Sequence, residues 1–175
     1  MKKTILLTAV LLLAAGTAFA QHGHGNCGNC PHHQQHARQQ QAQAGISFDQ
    51  AVAKAFPSMQ SMQKEGKWTA VRDANKKLLG YVVNSKPASD GIKGYAGETP
   101  VMIAFNAKKR ITGVCLLQNQ ETPGFLKRVQ DAGFYDNWNG LTVKKALKKK
   151  VDTVSGATFT SRAVAQSVQA VLATL

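Results

Sequence analysis

The clearest periodicity lies at the end of the chain. Val164, Val168, Val171 and Leu175 recur at helical spacing and form one apolar stripe. At the other end of the mixed-composition region, Ser47-Phe48-Asp49-Gln50 fits a capping box, with Ser47 as N-cap and Gln50 reaching back. A short helix through Ala51, Val52, Ala55 and Phe56 should follow, ended by Pro57. Trp68 to Asp73 and Leu78 to Asn84 read as strands around the turn 74–77. Pro87 to Gly97 is a Gly-rich connection, and Val101, Ile103 and Phe105 alternate with Met102 and Ala104 as a third strand. After the turn 106–109, Arg110 to Gln118 forms a fourth. Its pattern sets Ile111, Cys115 and Leu117 against Val114 and Leu116, apolar on both faces, as in a central strand covered on both sides. Helices are predicted over about 122–133 and 141–150 before the last one. Strands first and helices at the ends imply an α+β domain: a small, mostly antiparallel sheet with flanking helices, over residues 46–175.

Two stretches stand apart from that domain. Lys2 and Lys3 precede an uncharged run from Thr4 to Gly16, and Ala18-Phe19-Ala20 offers a small-residue cleavage site. This is the anatomy of a secretory signal peptide over residues 1–20, cut after Ala20. A retained anchor is the rival reading, although the run is short of the about 20 residues a span needs. No Cys follows the cleavage site, so a lipoprotein anchor is not indicated. The expected location is therefore extracytoplasmic, in the periplasm or beyond. Residues 21–45 hold all five His, two of the three Cys and many Gln, with almost no apolar residues, the composition of a disordered tail.

The formal charge is +13, of which Lys2 and Lys3 leave with the signal. Much of the rest sits in Lys144, Lys145, Lys148, Lys149 and Lys150, read either as a solvated helix face or as a docking patch for an acidic partner or anionic surface. Nucleic acid is excluded as a partner by export and by the lack of any reader motif. No histidine lies in the domain and no nucleophile–base pair is visible, so a free-standing enzyme has the least support.

The chemistry concentrates just before the last helix, in Asp152-Thr153-Val154-Ser155-Gly156-Ala157-Thr158. A small-residue turn entering a helix presents free backbone N–H groups and the positive end of the helix dipole, a ready site for phosphate. The competing reading is that Ser155 or Thr158 simply caps the helix.

This stretch resembles the flavinylation motif of the FMN-binding domain family, which includes the covalent-FMN subunits of Na⁺-translocating NADH:quinone reductase and of the Rnf complex. The motif positions are Asp152, Ser155, Gly156, Ala157 and Thr158. Gly94-Tyr95-Ala96-Gly97, the strand 100–105, Ile111-Thr112-Gly113-Val114 and Glu121-Thr122-Pro123-Gly124 are similar to the rest of that domain in order and spacing, so the likeness covers roughly residues 68–170. It implies that Thr158 is esterified to the phosphate of FMN by a FAD:protein FMN transferase. It implies also that Ser155, Gly156 and Ala157 form the turn around the phosphate, and that Asp152 belongs to the motif the transferase reads. Glu121, Thr122, Pro123 and Gly124 would border the isoalloxazine ring. Many members continue with Leu-Gly where this chain has Phe125 and Leu126, which leaves Phe125 as either a ring contact or part of the core. The implied role is an exported electron carrier between an unidentified donor and acceptor, membrane-associated or periplasmic. Contacts around the ring would tune it: N–H groups and Lys raise the potential, and an acid, with Glu121 the candidate, lowers it.

The tail supports a separate reading as a metal-binding module. Cys27 and Cys30, with His22, His24, His32 and His33 and the nearby His36, suit zinc or copper. A disulfide and a tail with no fixed role remain alternatives. Covalent haem needs His after the second Cys, and Pro31 stands there. Cys115, inside an apolar strand, reads as a buried thiol.

Overall fold

The computed structural model describes residues 45–175; the predicted leader and cleavage site and the predicted His22 to His36 metal cluster lie outside the described residues. In chain order the elements are α1 (Phe48–Ala55), β1 (Ser61–Glu65), β2 (Trp68–Arg72), β3 (Leu78–Asn84), β4 (Val101–Asn106), β5 (Ile111–Leu116), α2 (Pro123–Asp131), a 3₁₀ helix (Phe134–Trp138), α3 (Val143–Lys148) and α4 (Thr158–Ala173). The five strands form one antiparallel meander in the order β1-β2-β3-β4-β5, so the domain is α+β.

The sheet is covered on both faces, and β4 shows why its sequence is apolar throughout. Val101, Ile103 and Phe105 face a core shared with α2, the 3₁₀ helix, α3 and α4. Met102 and Ala104 face a smaller core closed by Ala51 and Val52 of α1. Trp138 and Phe105 are fully buried in the larger core; truncating an aromatic of this kind to Ala costs about 3–5 kcal/mol. The stripe read from the sequence is the buried face of α4, with Val164, Val168 and Val171 out of solvent.

The fourth predicted strand differs from its expectation in two ways. β5 is an edge strand, not a central one. Its edge is protected instead: Ile111 N–H donates to Leu141 O at 2.9 Å, Gly140 N–H donates to Ile111 O at 2.7 Å, and Ile46 bridges Leu117. The two faces are also partitioned differently. A bulge at Thr112 pairs Ala104 with Gly113 but Phe105 with Ile111, so Ile111 joins Val114 and Leu116 in the larger core. Cys115 and Leu117 turn to the smaller one. Cys115 is half-buried, and burial pushes its thiol pKa up.

Two elements are additional to those predicted. All five residues of β1 are exposed, so it carries no hydrophobic alternation. The 3₁₀ helix follows its N-cap Gly133, whose φ of +61° comes just after the end of α2. No helix among the described residues is long and apolar enough to cross a membrane. Among the same residues no cluster of His, Cys, Asp and Glu is able to hold a metal ion.

Candidate functional site

The turn before α4 is built from inside the helix. Ala157 N–H donates to Val154 O at 3.0 Å and closes the turn. Ser161, fully buried, accepts from Val154 N–H at 3.0 Å and donates to Ala157 O at 2.9 Å. Gly156 takes φ +72°, a conformation that favours glycine. Its carbonyl accepts from Arg128 Nη1 of α2 at 3.3 Å, and a Cβ at Gly156 would stand 2.2 Å from that nitrogen. Glycine is therefore favoured here by the backbone, while the tip of the exposed Arg128 side chain would have to shift to admit a Cβ.

No side chain caps α4. Its N-cap is Ala157, and Thr158 is the first helical residue. Neither Ser155, which is exposed, nor Thr158 bonds back to the helix, so the ordinary capping role read as an alternative is not used. The N–H groups of the first turn have no intrahelical partners by geometry and receive none from a side chain. The Thr158 hydroxyl is at the mouth of this positive helix end.

Tyr95, Phe125, Gly156, Ala157, Thr158, Phe159 and Thr160 line a cleft of about 290 Å³ over that end. The Tyr95 and Phe125 rings meet edge-on, centroids 5.0 Å apart. Tyr95 is 64% exposed and Phe159 63%, the two most exposed of the four large hydrophobic side chains left open to solvent among the described residues. Apolar surface is thus spent on walling a cleft rather than on the core. Phe125 does both jobs, lining the cleft and packing against the larger core.

Glu121 lies beneath the cleft, not in its lining, and is only 2% exposed. Oε1 accepts from the N–H groups of Ala96 at 2.7 Å and Gly97 at 3.0 Å, and Oε2 accepts from the Thr160 hydroxyl. Burial alone would push this carboxyl up. The Thr160 hydroxyl and the N–H groups of Ala96, Gly97 and Tyr95 outweigh it and hold the pKa below the ordinary value. Gly94 is pressed against the same carboxylate, since a Cβ there would sit 2.8 Å from Oε1. Glu121 therefore clamps the loop carrying Tyr95 to the first turn of α4. Asn119 orders the approach, accepting from Glu121 N–H at 2.9 Å and donating to Leu117 O at 2.8 Å.

Of the residues singled out in the sequence, Phe125, Gly156, Ala157 and Thr158 line the cleft together. Ser155 and Asp152 are exposed on the turn and do not line it. Thr122, Pro123 and Gly124 are exposed at the start of α2, where Thr122 is the N-cap and Pro123 the first residue. Arg128, Phe159 and Thr160 were not singled out. Phe159 had a readable signal: it is a large aromatic five residues before Val164, on the side of the helix away from the apolar stripe.

The arrangement fits a flavin mononucleotide. An uncapped helix end with Arg128 beside it suits a phosphate, and aromatic walls suit a planar ring.

The family comparison points the same way. Residues 94–173 match the family model of the FMN-binding domain, a span that contains every residue lining the cleft. Over 105 residues the chain is 30% identical to a subunit of the Na(+)-translocating ferredoxin:NAD(+) oxidoreductase complex of Acetobacterium woodii, covering 54% of this chain and 48% of that protein. Over 93 residues it is 33% identical to a subunit of the ion-translocating oxidoreductase complex of Shewanella piezotolerans, covering 47% and 43%. The chain thus spans about half the length of the curated relatives it matches. The crystal structure of Shewanella oneidensis NqrC aligns with a TM-score of 0.42 at 25% identity, over 70% of this chain and 67% of that one. Residues 94–173, just under half of the chain, thus carry the match to the FMN-binding domain family.

Proposed function

We propose that this domain carries one FMN, esterified through its phosphate to Thr158, and relays electrons outside the cytoplasm. The observation that carries the reading is the start of α4: a free threonine hydroxyl at an uncapped helix end, opening into an aromatic cleft. In the attachment step the Thr158 oxygen forms the new bond to phosphorus, AMP leaves from FAD, and the hydroxyl proton is released. A FAD:protein FMN transferase is the partner for that step, with Asp152 and Ser155 exposed on the turn where such an enzyme would read them.

When bound, the flavin supplies reversible uptake of electrons. The chain does the rest. The first-turn N–H groups of α4 and Arg128 offset the phosphate charge. Tyr95, Phe125 and Phe159 hold the ring, and Glu121 fixes the loop that presents Tyr95. Because the Glu121 carboxylate is already engaged by three donors, its effect on a ring above it is damped. The names of the relatives support redox partners in an ion-translocating oxidoreductase complex. The leader sequence supports export, where a covalent link prevents loss of a cofactor that is not supplied locally.

The full chain, co-expressed with the transferase, should keep flavin fluorescence in its band after SDS denaturation, and Thr158→Ala should remove it. A wild-type band without fluorescence would contradict the proposal.

A further inference from the structure

The helical layer carries a second concentrated feature beside the flavin cleft. Lys144, Lys145, Lys148, Lys149 and Lys150 crowd α3 and its exit, and Arg162 projects from α4. Among the described residues four ion pairs form, Arg72–Glu65, Lys86–Asp90, Lys86–Glu98 and Lys127–Asp131, and none uses these six cations. Lys148, Lys149, Lys150 and Arg162 line a cleft of about 480 Å³ together with Trp138. The Trp138 side chain is fully buried, and its indole N–H is the sole buried side-chain polar group among the described residues with no hydrogen-bond partner. Leu147, Val151, Ala165, Gln166 and Gln169 complete the lining, but its charged and unpartnered groups, ammonium, guanidinium and indole N–H, are all donors and call for an anionic acceptor.

Its position gives the acceptor a context. Arg162 follows Thr158 by four residues on the same helix, about 6 Å along the axis. Thr153, within the turn segment leading to Thr158, also lines the cleft. A molecule seated here would stand beside the flavin site.

We propose that this cleft docks an acidic redox protein, which inserts a carboxylate side chain between the lysines and Arg162 above Trp138. The inference rests on the electron-carrier reading and adds the chemistry of the partner. A concave cleft of this size accepts a protruding side chain, whereas a bilayer surface meets a flat or convex basic face. The unpaired charge would steer association and make it salt-dependent.

The test uses the full chain, both flavinylated and as Thr158→Ala, with hexaglutamate as the probe. The peptide should shift the indole N–H resonance of Trp138 and leave that of Trp68 in place, in both proteins. K148E/K149E/K150E should weaken binding by about tenfold or more, and the equal charge change K64E/K77E/K108E by less than about threefold. Equal weakening by the two variants, or an unmoved Trp138 resonance, would overturn the docking site. Tighter capture by phosphatidylglycerol vesicles than by the peptide at the same salt would overturn it in favour of a membrane surface. A Trp138 response in a wild type that holds no flavin would leave the docking site standing and remove the carrier reading alone.

Discussion

The starts of α1 and α4 have the same side-chain chemistry to hand and use it differently. At α1, Ser47 Oγ accepts from Gln50 N–H at 3.3 Å and Gln50 Oε1 accepts from Ser47 N–H at 3.0 Å, a complete capping box. At α4, Ser155 and Thr158 are on either side of the helix start, yet neither hydroxyl caps it. One helix closes its own end and serves the fold. The other leaves its donors and a hydroxyl open, and the chain instead secures the turn through Ser161, Arg128 and the Glu121–Thr160 contact. A self-satisfied terminus is a structural device; a terminus held open from behind is a candidate site.

Substitutions can break that contrast. The largest effect is expected for Thr158→Ala, which should abolish covalent flavin while changing stability by no more than about 0.5 kcal/mol, because the side chain caps nothing. Flavin content and urea unfolding measured together check both halves. Gly156→Val should come next. It keeps the hydroxyl but opposes φ +72° and displaces Arg128, so it should cost about 2 kcal/mol and sharply lower flavin incorporation by the transferase.

Glu121→Gln should cost about 1.5–3 kcal/mol at neutral pH, as charge-assisted hydrogen bonds are lost from a buried position. The sign of its pH dependence follows from the lowered folded-state pKa. The wild type's stabilisation is complete above the ordinary carboxyl value of 4.5 and drains away as pH falls through the folded value. Unfolding curves should therefore show the gap between wild type and variant narrowing in acid. Ser47→Ala should have the smallest effect on the site, costing about 1 kcal/mol of stability with flavin content unchanged. A loss of flavin in that variant would erase the distinction between the two helix ends.

Much of the fold was legible because burial follows simple periods. The α4 stripe, the alternation in β4 and the capping box at Ser47 each state their geometry directly. β1 was silent because an exposed hairpin strand has no apolar face to pattern. β5 misled because one bulged residue, Thr112, shifts the parity of everything before it. Its apolar faces reflect a sheet covered on both sides out to the edge, not a central position. In the site, the turn 152–158 was readable by its small residues and by likeness to a family. The clamp formed by Glu121 with Thr160 was not, because it joins residues 39 apart. The walls depend on a loop, on α2 and on α4 meeting in space, which no single stretch encodes.

Covalent attachment at Thr158 is most directly tested by mapping the modified peptide of protein taken from its own host. Cleavage after Lys150 and Arg162 isolates residues 151–162, which contain Thr153, Ser155, Thr158, Thr160 and Ser161. The expected result is a mass increase of FMN minus water on that peptide, localised by fragmentation to Thr158. An unmodified peptide, or an adduct on any of the other four hydroxyls, would contradict it.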